Sequence, residues 1–238
     1  MNRLTVVRSL CGITTALIVC APVEAGFNSN APLFTVVSTA GSATANDTST
    51  LLAPGVYAHT GSWTVANASI NWDFNVFGWS DATQSGFLNS NIVVKNNTAT
   101  AQTFTFTVAM PGEANGPIRF GGSIGGQFVN GSGSLGQLTS SGPLWSAIID
   151  GAPASTQLNN ALFFVQPFAV QSLGSFNFSN QLLSGAITSA AAIKFSFTMS
   201  AGGEASFTSN FNFQQVPAPG ALALIGFVPL TTARRRRK

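Results

Sequence analysis

The chain has 238 residues, of which 45% are hydrophobic and 7% charged, and it contains 20 Phe and four Trp. This composition excludes a disordered chain and supplies enough apolar side chains for the core of one domain. The formal net charge of +3 comes from the termini, because residues 26–215 carry three cations and six anions, which gives 3 − 6 = −3. A basic nucleic-acid-binding surface is therefore not expected.

The first 25 residues have the features of a secretory signal peptide. Arg3 and Arg8 precede an uncharged, mainly apolar segment at Leu10–Cys20, and Val23-Glu24-Ala25 predicts cleavage between Ala25 and Gly26. The alternative is an uncleaved membrane anchor, but eleven residues are few for a span. Both cysteines of the chain lie in this leader, so the mature protein is expected to have no disulfide.

Residues 26–215 contain short runs of alternating apolar and polar residues, which are typical of β-strands with one buried face. The clearest run is Thr103–Met110, in which phenylalanines alternate with threonines. Residues 92–111 are interpreted as a hairpin or as two consecutive strands, and Lys194–Met199 with Ala205–Phe213 as a C-terminal hairpin. A short helical turn is considered at Ala190–Ile193. The predicted fold is all-β: an antiparallel β-sandwich or jelly-roll-like domain.

Residues that carry chemistry are scarce in this domain. His59 is its one histidine and it has no cysteine, so neither a metal site with two histidines nor a cofactor is expected. A carboxylate pair for glycoside cleavage would have to come from dispersed residues whose spacing favours no pair (Asp73, Asp81, Glu113, Asp150 and Glu204). Bound calcium through backbone carbonyls stays open. The protein is therefore expected not to be an enzyme.

Tryptophans near polar residues are the better candidates for binding. Trp72, Trp79 and Asp81 are predicted as sugar contacts, because flat aromatic rings stack on sugars while neighbouring amides and carboxylates bind their hydroxyls. The alternative is that these rings fill the core, since Trp is mostly buried. Five Asn-x-Ser/Thr triplets, which are potential glycosylation sites, begin at Asn46, Asn67, Asn96, Asn130 and Asn177.

The last 23 residues, Val216–Lys238, have three parts. Val216, Pro217, Ala218, Pro219 and Gly220 open the segment, an uncharged apolar stretch follows, and Arg234, Arg235, Arg236, Arg237 and Lys238 close it. The stretch is short for a membrane helix, but the prolines before it and snorkelling arginines bring it close to spanning length. The cations favour the cytoplasmic side, so the domain is expected outside.

This tail resembles the PEP-CTERM sorting signal, with Ala218 where that family usually has glutamate. The resemblance implies recognition and removal by an exosortase-type enzyme in a bacterium that produces exopolysaccharide. It implies transient anchoring in the inner membrane with the C-terminus in the cytoplasm, followed by transfer to the cell surface or extracellular matrix. A structural or adhesive role associated with exopolysaccharide is the leading hypothesis. The alternatives are a carbohydrate-binding module that uses exposed tryptophans and, less favoured, a glycoside hydrolase.

Overall fold

The structure is a computed structural model that describes residues 32–41, 43, 45–77 and 85–216. The predicted leader lies outside the described residues, as does the predicted tail except for Val216. The described residues contain no α-helix, and hence none that is long and apolar enough to cross a membrane.

Strands account for most of the described chain. In chain order they are β1 (Leu33–Ser38), β2 (Asn46–Ala53), β3 (Val56–Val65), β4 (Ala68–Phe77), β5 (Ser85–Asn96), β6 (Gln102–Pro111), β7 (Ile118–Asn130), β8 (Gly136–Thr139), β9 (Pro143–Ile149), β10 (Ala152–Asn159), β11 (Leu162–Val165), β12 (Val170–Leu183), β13 (Ala190–Met199) and β14 (Gly203–Gln215).

The strands form two antiparallel sheets of seven strands each. Sheet I has the order β1-β6-β13, and β13 then pairs with β9 along its first half and with β8 at its end. The strands β10 and β11 extend sheet I beyond β9 and β8. Sheet II has the order β12-β7-β14-β5-β4-β3-β2. The predicted all-β sandwich is thereby confirmed.

The core lies between the inner faces of the two sheets, and the period-two pattern determines which side chains enter it. Phe104, Phe106 and Val108 of β6 are buried, while the threonines between them face outwards. Phe195 of β13 in sheet I packs 5.4 Å, centroid to centroid, from Phe207 of β14 in sheet II. Each fully buried phenylalanine stabilises the fold by roughly 1.5–3 kcal/mol. The packed core therefore fixes which side chains face outwards from each sheet.

Several consecutive strands lie in opposite sheets, which corrects the predicted C-terminal hairpin. β13 belongs to sheet I and β14 to sheet II, so the two strands do not pair with each other. β5 and β6 are likewise in different sheets, so of the two interpretations for residues 92–111 the consecutive strands are confirmed. The short segments at these positions, residues 97–101 and 200–202, carry the chain across the core instead of reversing it within one sheet.

A buried asparagine fixes the crossover from β5 to β6. Asn96 is 0% exposed, and its Nδ2 donates to the carbonyls of Thr100, Met199 and Ser200 at 2.9, 3.0 and 3.1 Å. Its Oδ1 accepts hydrogen bonds from the amide and the hydroxyl of Thr98. The side chain therefore ties this crossover to the one between β13 and β14.

A second asparagine repeats this arrangement at the crossover from β7 to β8. Asn130 is also 0% exposed, and its Nδ2 donates to the carbonyls of Ser134, Val165 and Gln166 at 2.7, 3.1 and 3.1 Å. Its Oδ1 accepts from the amide and the hydroxyl of Ser132. Both corners share the spacing Asn-x-Ser/Thr-x-Ser/Thr, a local repeat that sequence reading missed.

The helical turn considered at Ala190–Ile193 is wrong. These residues begin β13, where Ala191, Ala192 and Ile193 pair with β6 on one side and with β9 on the other. Pairing on both sides satisfies the backbone of this segment in the sheet and overrides the helical preference of alanine.

Candidate functional site

The outer face of sheet II carries polar side chains at matching positions on neighbouring strands. In the register, Asn75 of β4 lies opposite Asn89 of β5, and Asn89 lies opposite Asn210 of β14. Asn210 lies opposite Ser123 of β7, which in turn lies opposite Asn177 of β12. We call these five residues the amide row. With strands about 4.8 Å apart, the row extends about 19 Å across the sheet.

The amide row crosses a long depression, which we call the amide groove. One part has a volume of about 600 Å³ and includes Arg119, Gly121 and Asn177 in its lining. The other part has a volume of about 410 Å³ and includes Asp73 and Asn89. Ser123 and Asn210 line both parts, so the two depressions adjoin on the outer face of sheet II.

The polar atoms of the row are mostly available to a ligand. Asn210 Nδ2 donates to Ser123 Oγ at 2.9 Å, which fixes the middle of the groove. Asn75, Asn89 and Asn177 are exposed, and within the described part of the chain their side chains make no hydrogen bond. Each amide presents one acceptor and two donor hydrogens. The groove therefore offers repeated donor and acceptor groups at positions set by the pairing of the strands.

A buried polar network lies beneath the second part of the groove. Ser90 Oγ and Ser209 Oγ are 2.8 Å apart, and Trp145 Nε1 donates to Ser209 Oγ at 3.2 Å. Ser90 and Ser209 also line the groove from below. Trp145 is fully buried, so its fluorescence is a natural reporter of changes in the groove.

Charge is sparse in the groove. Asp73 is the one carboxylate and Arg119 the one cation among the described lining residues, and they lie in different parts. From the register, six residues along β7 and three strands across separate them, a distance of roughly 25 Å. Glycoside cleavage usually requires two carboxylates beside the scissile bond, and the described lining provides one.

The prediction that Trp72 contacts a sugar is wrong. Trp72 is 4% exposed, its ring lies 5.4 and 5.3 Å from the rings of Phe34 and Phe106, and its Nε1 donates to Asp47 Oδ1. Because side chains alternate along a strand, Trp72 faces the core while Asn71 and Asp73 on either side of it face outwards, and Asp73 lines the groove. Trp79 and Asp81, the other two predicted contacts, lie outside the described residues.

His59 is buried at 1% exposure. Its Nδ1 lies 2.9 Å from Asp47 Oδ2, and its ring packs beside Phe34. This position indicates a structural role for His59. No group of three or more potential metal ligands from His, Cys, Asp and Glu occurs among the described residues.

The Asp150 carboxylate organises a loop far from the groove. It accepts hydrogen bonds from the backbone amides of Thr188, Ser189 and Ala190 and from the hydroxyls of the first two. Burial raises the pKa of Asp150, but these hydrogen bonds outweigh it and hold the pKa below its ordinary value. The role of Asp150 is therefore structural: its carboxylate holds residues 188–190 in place.

Two of the five glycosylation triplets begin at buried positions. Asn96 and Asn130 are fully buried and hydrogen-bonded, so a glycan does not fit at either residue in the folded protein. Asn46, Asn67 and Asn177 are exposed. Asn177 belongs to the amide row, so a glycan there would cover the groove.

Sequence reasoning missed most of the amide row. The available signal was the repetition of polar residues two positions apart in several strands, such as Asn71-x-Asp73-x-Asn75, Asn89-x-Asn91 and Asn210-x-Asn212. Two positions apart in a strand means the same face. Placing the three strands side by side required the sheet order, which spacing does not reveal.

No protein-family model matches the chain, and no curated protein matches it. A solved structure of infectious bursal disease virus, Gt strain, aligns with 82% of this chain at 12% identity and a TM-score of 0.26. The chain spans 62% of that viral chain. A likeness this low carries no argument about fold or function.

Proposed function

We propose that this chain is an exported, non-catalytic protein of the cell surface or extracellular matrix that adheres to exopolysaccharide through the amide groove. The observation that carries the proposal is the amide row, which lines an open groove on the outer face of sheet II. The single carboxylate among the described lining residues supports binding over cleavage.

The groove chemistry fits the hydroxyl groups of a sugar chain. Each sugar hydroxyl donates and accepts, and each asparagine amide does the same, so neighbouring amides can pair with successive hydroxyls. A single hydrogen bond of this kind contributes about 0.5–1.5 kcal/mol. One sugar therefore binds weakly, but a polymer that engages several protein molecules is retained by multivalency. Weak, repeated contacts of this kind suit an adhesive role.

This surface is less suited to binding a peptide. Extended peptides pair with exposed strand edges, whereas β14, β5 and β7 in the groove are interior strands of sheet II. The proposed ligand contacts side chains on the face of the sheet, which is the geometry that a polysaccharide requires.

The termini support the export part of the proposal. Residues 1–25 are proposed to be removed after Ala25, and the segment from Val216 to be a short apolar helix that holds the protein in the inner membrane until an exosortase-type enzyme acts. The sandwich between them is proposed to be jelly-roll-like, since β5 and β6, β7 and β8, and β13 and β14 change sheets.

Mass spectrometry of both ends of the exported protein tests this processing. We expect a mature start at Gly26 and an end within 216–220, and a variant lacking residues 234–238 should accumulate with its tail uncut. Normal processing without the cations, or a full-length protein in the cytosol, would contradict the proposal.

Affinity electrophoresis in exopolysaccharide from the producing cells tests the adhesive role. Asn89→Ala removes one central amide of the row and should weaken retention about fivefold, the equivalent of about 1 kcal/mol. Gln137→Ala is the matched control, because Gln137 is an exposed amide on sheet I, away from the groove. Equal retention of all three proteins, or no retention of the unaltered one, would refute the role.

A further inference from the structure

The larger part of the amide groove contains an isolated cation. Arg119 lies at an outward, exposed position of β7, beside Gln214 of β14 and Leu182 of β12. No carboxylate occurs among the described residues that line this part, and within the described chain Arg119 forms no ion pair. Among the described residues, no carboxylate therefore compensates the charge of this guanidinium in a groove of about 600 Å³.

This position is unusual for the protein, because residues 26–215 carry a net charge of −3 and contain three cations. Lys95 pairs with Glu204 at 2.8 Å, and Lys194 lies on the outer face of sheet I. Arg119 is the one cation of the three that lies in the groove. A basic overall surface therefore does not explain its presence there.

The groups around Arg119 are those that bind an acidic sugar. Asn177, Asn180 and Asn212 supply amide donors and acceptors, and the half-buried ring of Phe87 lines the same depression. A guanidinium binds a carboxylate through two parallel hydrogen bonds, the amides suit hydroxyls, and an aromatic ring suits the apolar face of a sugar. These groups match the carboxylate, hydroxyls and ring of a uronic acid.

We propose that the larger part of the groove is a subsite for a carboxylate-bearing sugar of an acidic polysaccharide, with Arg119 binding the carboxylate. The inference rests on the proposed function and specifies its ligand class. Asp73 lies roughly 25 Å away, about two and a half Debye lengths at 0.1 M salt, so its charge does not cancel that of Arg119. Asp73 disfavours a second carboxylate in the smaller part, which is therefore assigned to an uncharged sugar.

The test compares three polymers on the protein as its cells export it: polygalacturonate, which carries carboxylates, dextran, which is neutral, and dextran sulfate. Binding is followed by tryptophan fluorescence and by affinity electrophoresis. We expect polygalacturonate to bind most tightly, and Arg119→Gln to weaken that binding about tenfold while leaving dextran binding unchanged. Arg119→Lys keeps the charge without the two-pronged geometry and should be intermediate.

Lys194→Gln is the matched control, because it removes the same charge from sheet I. Raising the ionic strength from about 0.01 to about 1 M shortens the Debye length from about 30 to about 3 Å, so it should weaken polygalacturonate binding to the unaltered protein more than to Arg119→Gln. Equal losses in Arg119→Gln and Lys194→Gln would overturn the subsite, because charge alone would then explain binding.

The other outcomes separate the two proposals. One outcome is that dextran binds as tightly as polygalacturonate and that Arg119→Gln does not change dextran binding. This result would overturn the subsite and would leave the adhesive role intact. Preference for dextran sulfate over polygalacturonate would overturn the assignment of the anion as a carboxylate. Failure to bind any polysaccharide, including that of the producing cells, would refute the proposed function itself.

Discussion

Replacing Asn96 by alanine should be among the most destabilising single substitutions in this protein. The Asn96 Nδ2 has two hydrogens, which it shares among three backbone carbonyls, and its Oδ1 accepts two hydrogen bonds from Thr98. Counted as four bonds at about 1 kcal/mol each, the side chain contributes about 4 kcal/mol. A domain is typically stable by about 5–15 kcal/mol, so Asn96→Ala should remain folded but close to its limit.

Urea unfolding followed by tryptophan fluorescence measures this loss, because Trp63, Trp72 and Trp145 are buried. With a slope of about 2 kcal/mol/M, a loss of about 4 kcal/mol lowers the midpoint by about 2 M. Asn97→Ala is the control, since Asn97 is exposed and its backbone amide keeps its bond to the carbonyl of Asn67. It should cost about 0.5 kcal/mol or less.

The same reasoning predicts coupling with the second crossover. Gly202 donates its amide to the carbonyl of Asn96, and its own carbonyl accepts from the amide of Gly131, next to Asn130. The effects of Asn96→Ala and Asn130→Ala should therefore deviate from additivity by more than about 0.5 kcal/mol. If Asn96→Ala unfolds at the same urea concentration as Asn97→Ala, the assigned role of the buried amides is wrong.

Three further outcomes are expected. Hydrogen bonds from residues 188–190 hold the folded pKa of Asp150 below its ordinary value of 3.8. Asp150 therefore contributes stability that is lost as the pH falls through the folded pKa. In Asp150→Asn, the urea midpoint of unfolding should decline less steeply below about pH 4 than in the unaltered protein. Asp47→Ala removes the acceptor of Trp72 Nε1 and should cost about 1–3 kcal/mol, with a shift in tryptophan emission; unchanged emission and midpoint would contradict it. Gly122→Ala should lower the melting temperature, because the added Cβ would lie 2.7 Å from a backbone carbonyl of β14. An unchanged melting temperature would contradict this prediction, because β14 would then have shifted to make room for the methyl group.

Much of the strand content was predictable because alternation is a local property. In β6 and in the second half of β4, the alternate apolar side chains face the core, as the alternation in the sequence predicts. Partner choice was not predictable from the same pattern. The glycines at residues 202 and 203 fit a tight hairpin turn, but residues on either side of them pair in opposite sheets, because tertiary packing decides the partner of each strand.

For the candidate site too, the local pattern was predictable and the pairing of the strands was not. That Asn71, Asp73 and Asn75 share one face of a strand follows from their spacing, and Trp72 between them must then face the other way. Grouping Trp72 with these residues as a sugar site relied on closeness along the chain and overlooked the alternation. The amide row required knowledge that β14 lies between β5 and β7, which depends on contacts between residues more than 80 positions apart.

The last strand of the domain occupies an interior position, with β5 and β7 on either side. A chain that leaves an export channel from its N-terminus delivers residues 203–215 at the end, so these two neighbours stay unpaired along facing edges until then. Val216 still donates its backbone amide to the carbonyl of Pro117, which leaves almost no spacer between the finished sheet and the segment proposed to sit in the membrane. Under the proposed export route, assembly of this domain would therefore be a late step of secretion, next to the membrane in which the tail is proposed to sit.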